Sequence, residues 1–143
     1  MFLGTHSPRL DDKGRLALPA KFRSDLEGGL VICKGLDRCL FVFPTEGFKK
    51  FTQAIADAPI TDKRIRNYGR TLFASGSVET LDAQGRITIP PKLREYASLA
   101  KECAVVGANT RIEIWDAPTW DAWDAEATEA FADIAEEVLP GVF

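Results

Sequence analysis

The sequence predicts an α+β, mainly β fold assembled from two copies of one unit. The first sign is that Asp11-Asp-Lys-Gly-Arg-Leu-Ala-Leu-Pro-Ala-Lys-Phe-Arg23 returns as Asp82-Ala-Gln-Gly-Arg-Ile-Thr-Ile-Pro-Pro-Lys-Leu-Arg94. The second is that each copy leads into two short apolar runs around a turn and then into a helical pattern.

Residues 2–10 precede the first copy and residues 73–81 the second, with Phe2 over Phe73 and Leu10 over Leu81, so a strand is expected to enter each turn. His6 is the single histidine and, without a second ligand, reads as a surface or turn residue. In Asp-x-x-Gly, Asp11 or Asp82 bonds its own backbone and Gly14 or Gly85 accepts the φ of the exit, which describes a tight turn. The alternation in Arg15-Leu-Ala-Leu and Arg86-Ile-Thr-Ile is that of half-buried strands. It faces Leu16, Leu18, Ile87 and Ile89 inward and Arg15 and Arg86 outward. Pro19 and Pro90 end these strands and are expected as first residues of short helices, where a missing N–H costs nothing.

Gly28-Gly29 breaks the chain. Residues 30–33 and 39–43 then form a hairpin around residues 34–38, and residues 103–106 and 111–115 form its counterpart around 107–110. Each hairpin runs into a helix. Phe48, Phe51 and Ile55 recur at helical spacing in the first, and Trp120, Trp123, Ala127, Phe131, Ile134 and Val138 in the second. With an acidic opposite face, the second stripe is expected to pack against the core rather than to stack on bases. Between the halves, Lys63, Arg64, Arg66 and Arg70 mark a basic connector, read as a solvated helix in preference to an auxiliary phosphate contact. The expected division is residues 1–57, a connector over 58–72, and residues 73–143.

The net charge of −3 argues at first against a polyanionic partner, but its distribution does not. Residues 116–143 hold eight carboxylates and no Lys or Arg, whereas residues 1–115 hold all 18 basic groups against 13 acidic ones. A modestly basic body with an acidic end is compatible with nucleic-acid binding. The apolar runs are too short to span a membrane and the N-terminus lacks signal-peptide character, so a soluble cytoplasmic protein is expected. Cys33, Cys39 and Cys103 include no Cys-x-x-Cys pair and read as ordinary core residues rather than a disulfide framework or zinc site. No phosphate-binding loop, nucleophile elbow or metal spacing points to an enzyme, and no cofactor is expected.

The two Asp-x-x-x-Arg copies, each running on to Pro and Lys, together with the strand pair from Gly107 to Trp115, make the chain similar to the bacterial MraZ family over nearly its whole length. That family is related to AbrB-type swapped-hairpin transcription factors. The resemblance implies two AbrB-like repeats joined in one chain as a pseudo-dimeric, swapped-hairpin barrel with flanking helices, and several chains closed into a ring-shaped homo-oligomer. It implies sequence-specific binding to double-stranded promoter DNA of the division and cell-wall gene cluster, in the cytoplasm at the nucleoid. By position, the family's DNA-contacting arginines fall on Arg15 and Arg86. Residue chemistry agrees in kind, since an arginine on a rigid turn can grip guanine O6 and N7 or a phosphate. Asp11 and Asp82 are assigned to forming the turn and orienting the arginine. Lys13, Lys21, Arg23, Lys92 and Arg94 are weaker candidates for backbone contacts. Gln84 and Ala83 stand where the first copy has Lys13 and Asp12, so the halves are expected to grip DNA unequally. The competing reading is a ring-forming protein-interaction module that does not bind DNA.

Overall fold

The computed structural model describes residues 1–142, so Phe143, where the second repeat is expected to end, lies outside the described residues. The elements are β1 (Thr5–His6), β2 (Arg15–Ala17), α1 (Ala20–Arg23) with a 3-10 turn (Ser24–Leu26), β3 (Leu30–Lys34), β4 (Leu40–Pro44) and α2 (Thr45–Asp57). They continue with α3 (Lys63–Ser75), β5 (Ser77–Glu79), β6 (Arg86–Thr88), α4 (Pro91–Tyr96), β7 (Cys103–Ala108), β8 (Arg111–Asp116) and α5 (Ala117–Val138).

The two halves exchange strands. β1 of the first half pairs with β7 of the second, and β5 of the second pairs with β3 of the first. β4 pairs with β8 at the centre, giving one antiparallel sheet of order β1-β7-β8-β4-β3-β5. β2 and β6 pair only with each other, as a two-stranded ribbon. The swapped-hairpin pseudo-dimer is therefore present, but hydrogen bonding does not close into a barrel. β1 and β5 remain open edges and the ribbon lies against one face of the sheet.

Burial explains the continuous apolar runs of the hairpins, because a strand covered on both faces needs apolar residues at every position. Ile32, Leu40, Val42, Val105, Ile112 and Ile114 share one core cluster with Leu16, Leu18, Ile87 and Ile89 of the ribbon. Their alternates Cys33, Phe41, Phe43, Ala104, Val106 and Trp115 form a second cluster under Phe48, Phe51, Ile55, Leu72 and Trp120 of the helices. The three cysteines are free and buried, as core residues should be.

Five local readings need correction. Residues 73–75 are helical, not extended: Asp62 caps α3 by accepting from the Arg64 N–H, Leu72 anchors the helix in the core, and it runs on to Ser75 before Gly76 ends it. This connector is packed along one face rather than wholly solvated. Pro19 and Pro90 sit one place earlier than expected, as extended N-cap residues with ψ 140 and 146, and Pro91 takes the first helical position of α4. His6 lies in β1 with its ring edge on Phe22, 5.3 Å between centroids, rather than in a turn. The aromatic stripe of α5 is the largest departure. Trp120 and Trp123 stack and Trp115 meets Trp120 edge-on, yet Phe131, Ile134 and Val138 are exposed and no residue of α5 is buried.

Candidate nucleic-acid interface

The two Asp-x-x-Gly turns open onto the two ends of the β2–β6 ribbon with the same geometry. In the first, Asp11 Oδ1 accepts from the backbone N–H groups of Lys13 and Arg15 at 2.9 and 2.8 Å, and Oδ2 accepts from Arg15 Nε at 2.7 Å. In the second, Asp82 Oδ1 accepts from Gln84 and Arg86 at 2.9 and 2.8 Å, and Oδ2 accepts from Arg86 Nε at 2.8 Å. One carboxylate thus closes the turn and aims the guanidinium. The Arg15 backbone N–H, helped by its side chain and the Lys13 N–H against a smaller opposing effect of burial, holds the Asp11 carboxyl below the usual carboxylate range. Arg86 and Gln84 do the same for Asp82.

Each arginine spends its Nε on its own aspartate, which leaves the terminal nitrogen fork without a hydrogen bond among the described residues. The side chains of Arg15 and Arg86 retain 31% and 28% of their exposure. In the ribbon register Arg15 stands opposite Thr88 and Ala17 opposite Arg86, so these four residues share the outward face. The halves are not equivalent electrically: Arg86 Nη1 also lies 4.0 Å from Asp11 Oδ2.

Gly14 and Gly85 take φ values of 77° and 73°, the left-handed region that glycine enters without a steric penalty. They also make room for arginines from the opposite repeat. A Cβ on Gly14 would lie 2.8 Å from Arg94 Cζ, and one on Gly85 would overlap the Arg23 guanidinium. Arg23 is held there by donating from Nε and Nη2 to the Leu18 carbonyl at 3.0 and 2.8 Å. Arg94 Nε is buried and has no partner among the described residues. Each repeat therefore props the other's turn. The backbone repeats the exchange, with Leu18 donating to the Gly85 carbonyl and Ile89 to that of Gly14.

The structure brings Asp11, Gly14, Arg15, Asp82, Gly85 and Arg86 together on the ribbon, with Arg23 and Arg94 against the turns. Lys13 is exposed at the first turn. Lys21 lies over the Phe22 ring, 5.5 Å from its centroid. Lys92 lines a groove with Lys34, Arg38 and Arg70. That groove escaped sequence reasoning because β3, the hairpin tip, α3 and α4 each contribute to it, and no contiguous pattern marks it. Among the described residues, no cluster of His, Cys, Asp and Glu could hold a metal ion. No helix of the structure is long and apolar enough to cross a membrane.

Residues 1–71 and 72–140 each match the family described as "MraZ protein, putative antitoxin-like". The chain is 60% identical over 142 residues to the "Transcriptional regulator MraZ" of Thermobifida fusca (strain YX), covering 99% of both chains. A protein of the same name from Parafrankia sp. (strain EAN1pec) is also 60% identical over 142 residues, again at 99% of both. Another, from Clavibacter michiganensis subsp. michiganensis, is 56% identical over 143 residues, at 100% of both. With both halves matched by one family and full-length relatives at this identity, the chain belongs to the MraZ family.

Proposed function

We propose that this chain is a transcription regulator that binds double-stranded promoter DNA directly and presents Arg15 and Arg86 to repeated elements. One observation carries the reading: two arginines share the outward face of a two-stranded ribbon, each with Nε fixed and its terminal fork free of hydrogen bonds among the described residues. A β-ribbon fits the major groove, where such a fork can pair with guanine O6 and N7. The names of the relatives, transcriptional regulators, support the general role. The promoter of the bacterial division and cell-wall gene cluster, a cytoplasmic, nucleoid-associated location and the absence of enzymatic activity complete the proposal. Lys13, Lys21, Arg23, Lys92 and Arg94 supply auxiliary charge, with Arg23 and Arg94 serving first as props for the turns.

Each Asp-x-x-x-Arg pair is charge-neutral, so a single protomer has little charge with which to hold DNA. Several protomers in a ring-shaped homo-oligomer would gain from effective concentration, each placing a weak arginine pair on a successive element. Fluorescence anisotropy with promoter fragments tests the reading. Arg15→Ala and Arg86→Ala should each weaken specific binding about 5- to 150-fold, the equivalent of the roughly 1–3 kcal/mol for a bidentate base contact. Elution in size-exclusion chromatography should be unchanged. Unaltered binding in both variants would remove the arginines from the interface. Binding that does not weaken as salt rises would favour the protein-interaction module, a reading for which the exposed face of α5 speaks.

A further inference from the structure

Both sides of an unmade contact are present in this one chain. The first is the projecting part of α5. Phe131, Ile134 and Val138 are 74%, 47% and 63% exposed, and together with Trp123 and Ala127 they lie on one stripe of the helix. Glu126, Asp133 and Glu137 flank the stripe, while Glu129 and Glu136 lie on the far face of the helix, and no basic residue occurs anywhere in α5. A stripe of this kind on a helix that is anchored only near its start marks a surface awaiting a partner.

The second is the groove of about 1130 Å³ between β3, α3 and α4. Lys34, Arg38, Arg70 and Lys92 line it, against Glu95 as its single acid, while Ala74, Leu93, Pro90 and Pro91 give it apolar walls. Tyr96 is its centrepiece. The phenol donates to the Gly35 carbonyl at 2.7 Å, and Lys34 Nζ and Arg38 Cζ lie 5.2 and 5.0 Å from its ring centroid.

The geometry points to this groove as the seat for α5 of a second copy of the chain. The match is one of charge and polarity together: apolar stripe to apolar walls, carboxylates to the cations around them. α5 rests on β7 and β8, whereas the groove is bordered by β3, which lies beyond β4 in the sheet, so the contact is made between chains. It is a heterologous contact. Each added copy leaves one free helix and one free groove, and growth ends only when the chain of copies closes. This inference rests on the self-association part of the proposed function and, apart from Lys92, which that reading also counts among the auxiliary DNA charges, is independent of the DNA part.

Sedimentation velocity of the full-length chain without DNA tests it by complementation. The groove variant Lys34→Glu/Arg70→Glu keeps its helix, and the helix variant Phe131→Asp/Ile134→Asp keeps its groove. Each alone should sediment as a monomer with unchanged circular dichroism, and an equimolar mixture should form a dimer that grows no further. Wild-type association should be about tenfold weaker when screening shortens the Debye length from roughly 10 Å to a few ångströms. Variants that assemble like the wild type, or a mixture that stays monomeric, would overturn the inference while leaving self-association standing. A groove variant that assembles normally but loses DNA affinity would reassign the groove to phosphate. A wild-type chain that is itself monomeric would overturn both this inference and the proposed ring.

Discussion

Gly14→Ala and Gly85→Ala make the same change in two copies of one turn, and the structure predicts that they cost different amounts. Both positions have φ near +75°, 77° and 73° respectively, where a Cβ costs about 1–2 kcal/mol. In both, the new methyl group must displace an arginine from the other repeat. Displacing Arg94 breaks no side-chain hydrogen bond and releases a buried Nε that has no partner among the described residues. Displacing Arg23 breaks the paired donation to the Leu18 carbonyl, and a bond to a charged group contributes about 1.5–3 kcal/mol. Arg23 is partly exposed, so the lower end applies. Gly14→Ala should therefore lose about 1–2 kcal/mol and Gly85→Ala about 2.5–3.5 kcal/mol. Urea denaturation followed by tryptophan fluorescence measures both as shifts in midpoint at constant slope. Equal losses, or a larger loss for Gly14→Ala, would refute the view that Arg23 is a bonded prop and Arg94 an unbonded one.

Two other perturbations address the turns and the core. The lowered pKa of Asp11 and Asp82 means that their stabilising bonds are fully present above the ordinary value of 3.8 and are lost as pH falls through the lower folded values. The amide resonances of Arg15 and Arg86 should therefore titrate with midpoints below 3.8 at an acidity where the fold persists, and a midpoint above that value would contradict the geometry. Burial pushes the Cys33 and Cys39 thiols up to about 12 and Cys103 up to about 11. At pH 8 less than roughly one in a thousand of each would be thiolate, so a disulfide reagent should leave the folded chain unmodified and titrate three thiols once it is unfolded.

Much of the local structure was legible because it depends on a few neighbouring residues. Asp at the head of the turn, Gly at its exit and strict alternation after it specify the turn, the strand and the outward arginine within eight positions. The pairing of strands was not legible in the same way. Nothing in Arg15-Leu-Ala states that its partner is Arg86-Ile-Thr, and the exchange of β1 and β5 between halves rests on contacts far apart in the chain. Superposing the repeats even misled at one point: Phe2 is extended and 3% exposed, whereas Phe73 is helical, 47% exposed and edge-on to Phe48. The α5 stripe failed for a different reason. Periodicity shows that a helix has an apolar face, but not whether the same chain covers it.

Exchange between the repeats also changes what the candidate site is. Arg23 and Arg94 follow their own turns closely in sequence, yet each supports the other repeat's glycine, and Asp11 faces Arg86 as well as Arg15. Neither turn is thus a self-sufficient module grafted on a scaffold. The outward pair exists because two intertwined halves hold each other at a fixed separation along one ribbon. That separation is symmetric, but the chemistry at the tips is not, since Asp12 and Lys13 stand where Ala83 and Gln84 do in the other half. On the proposed DNA-binding reading, the backbone would fix where the two guanidinium forks enter a groove, while the unequal tips and the second carboxylate near Arg86 would determine how strongly each fork engages it. On that reading a duplicated scaffold with unequal contacts would give the bound DNA a direction, which a strictly two-fold pair of identical chains cannot do.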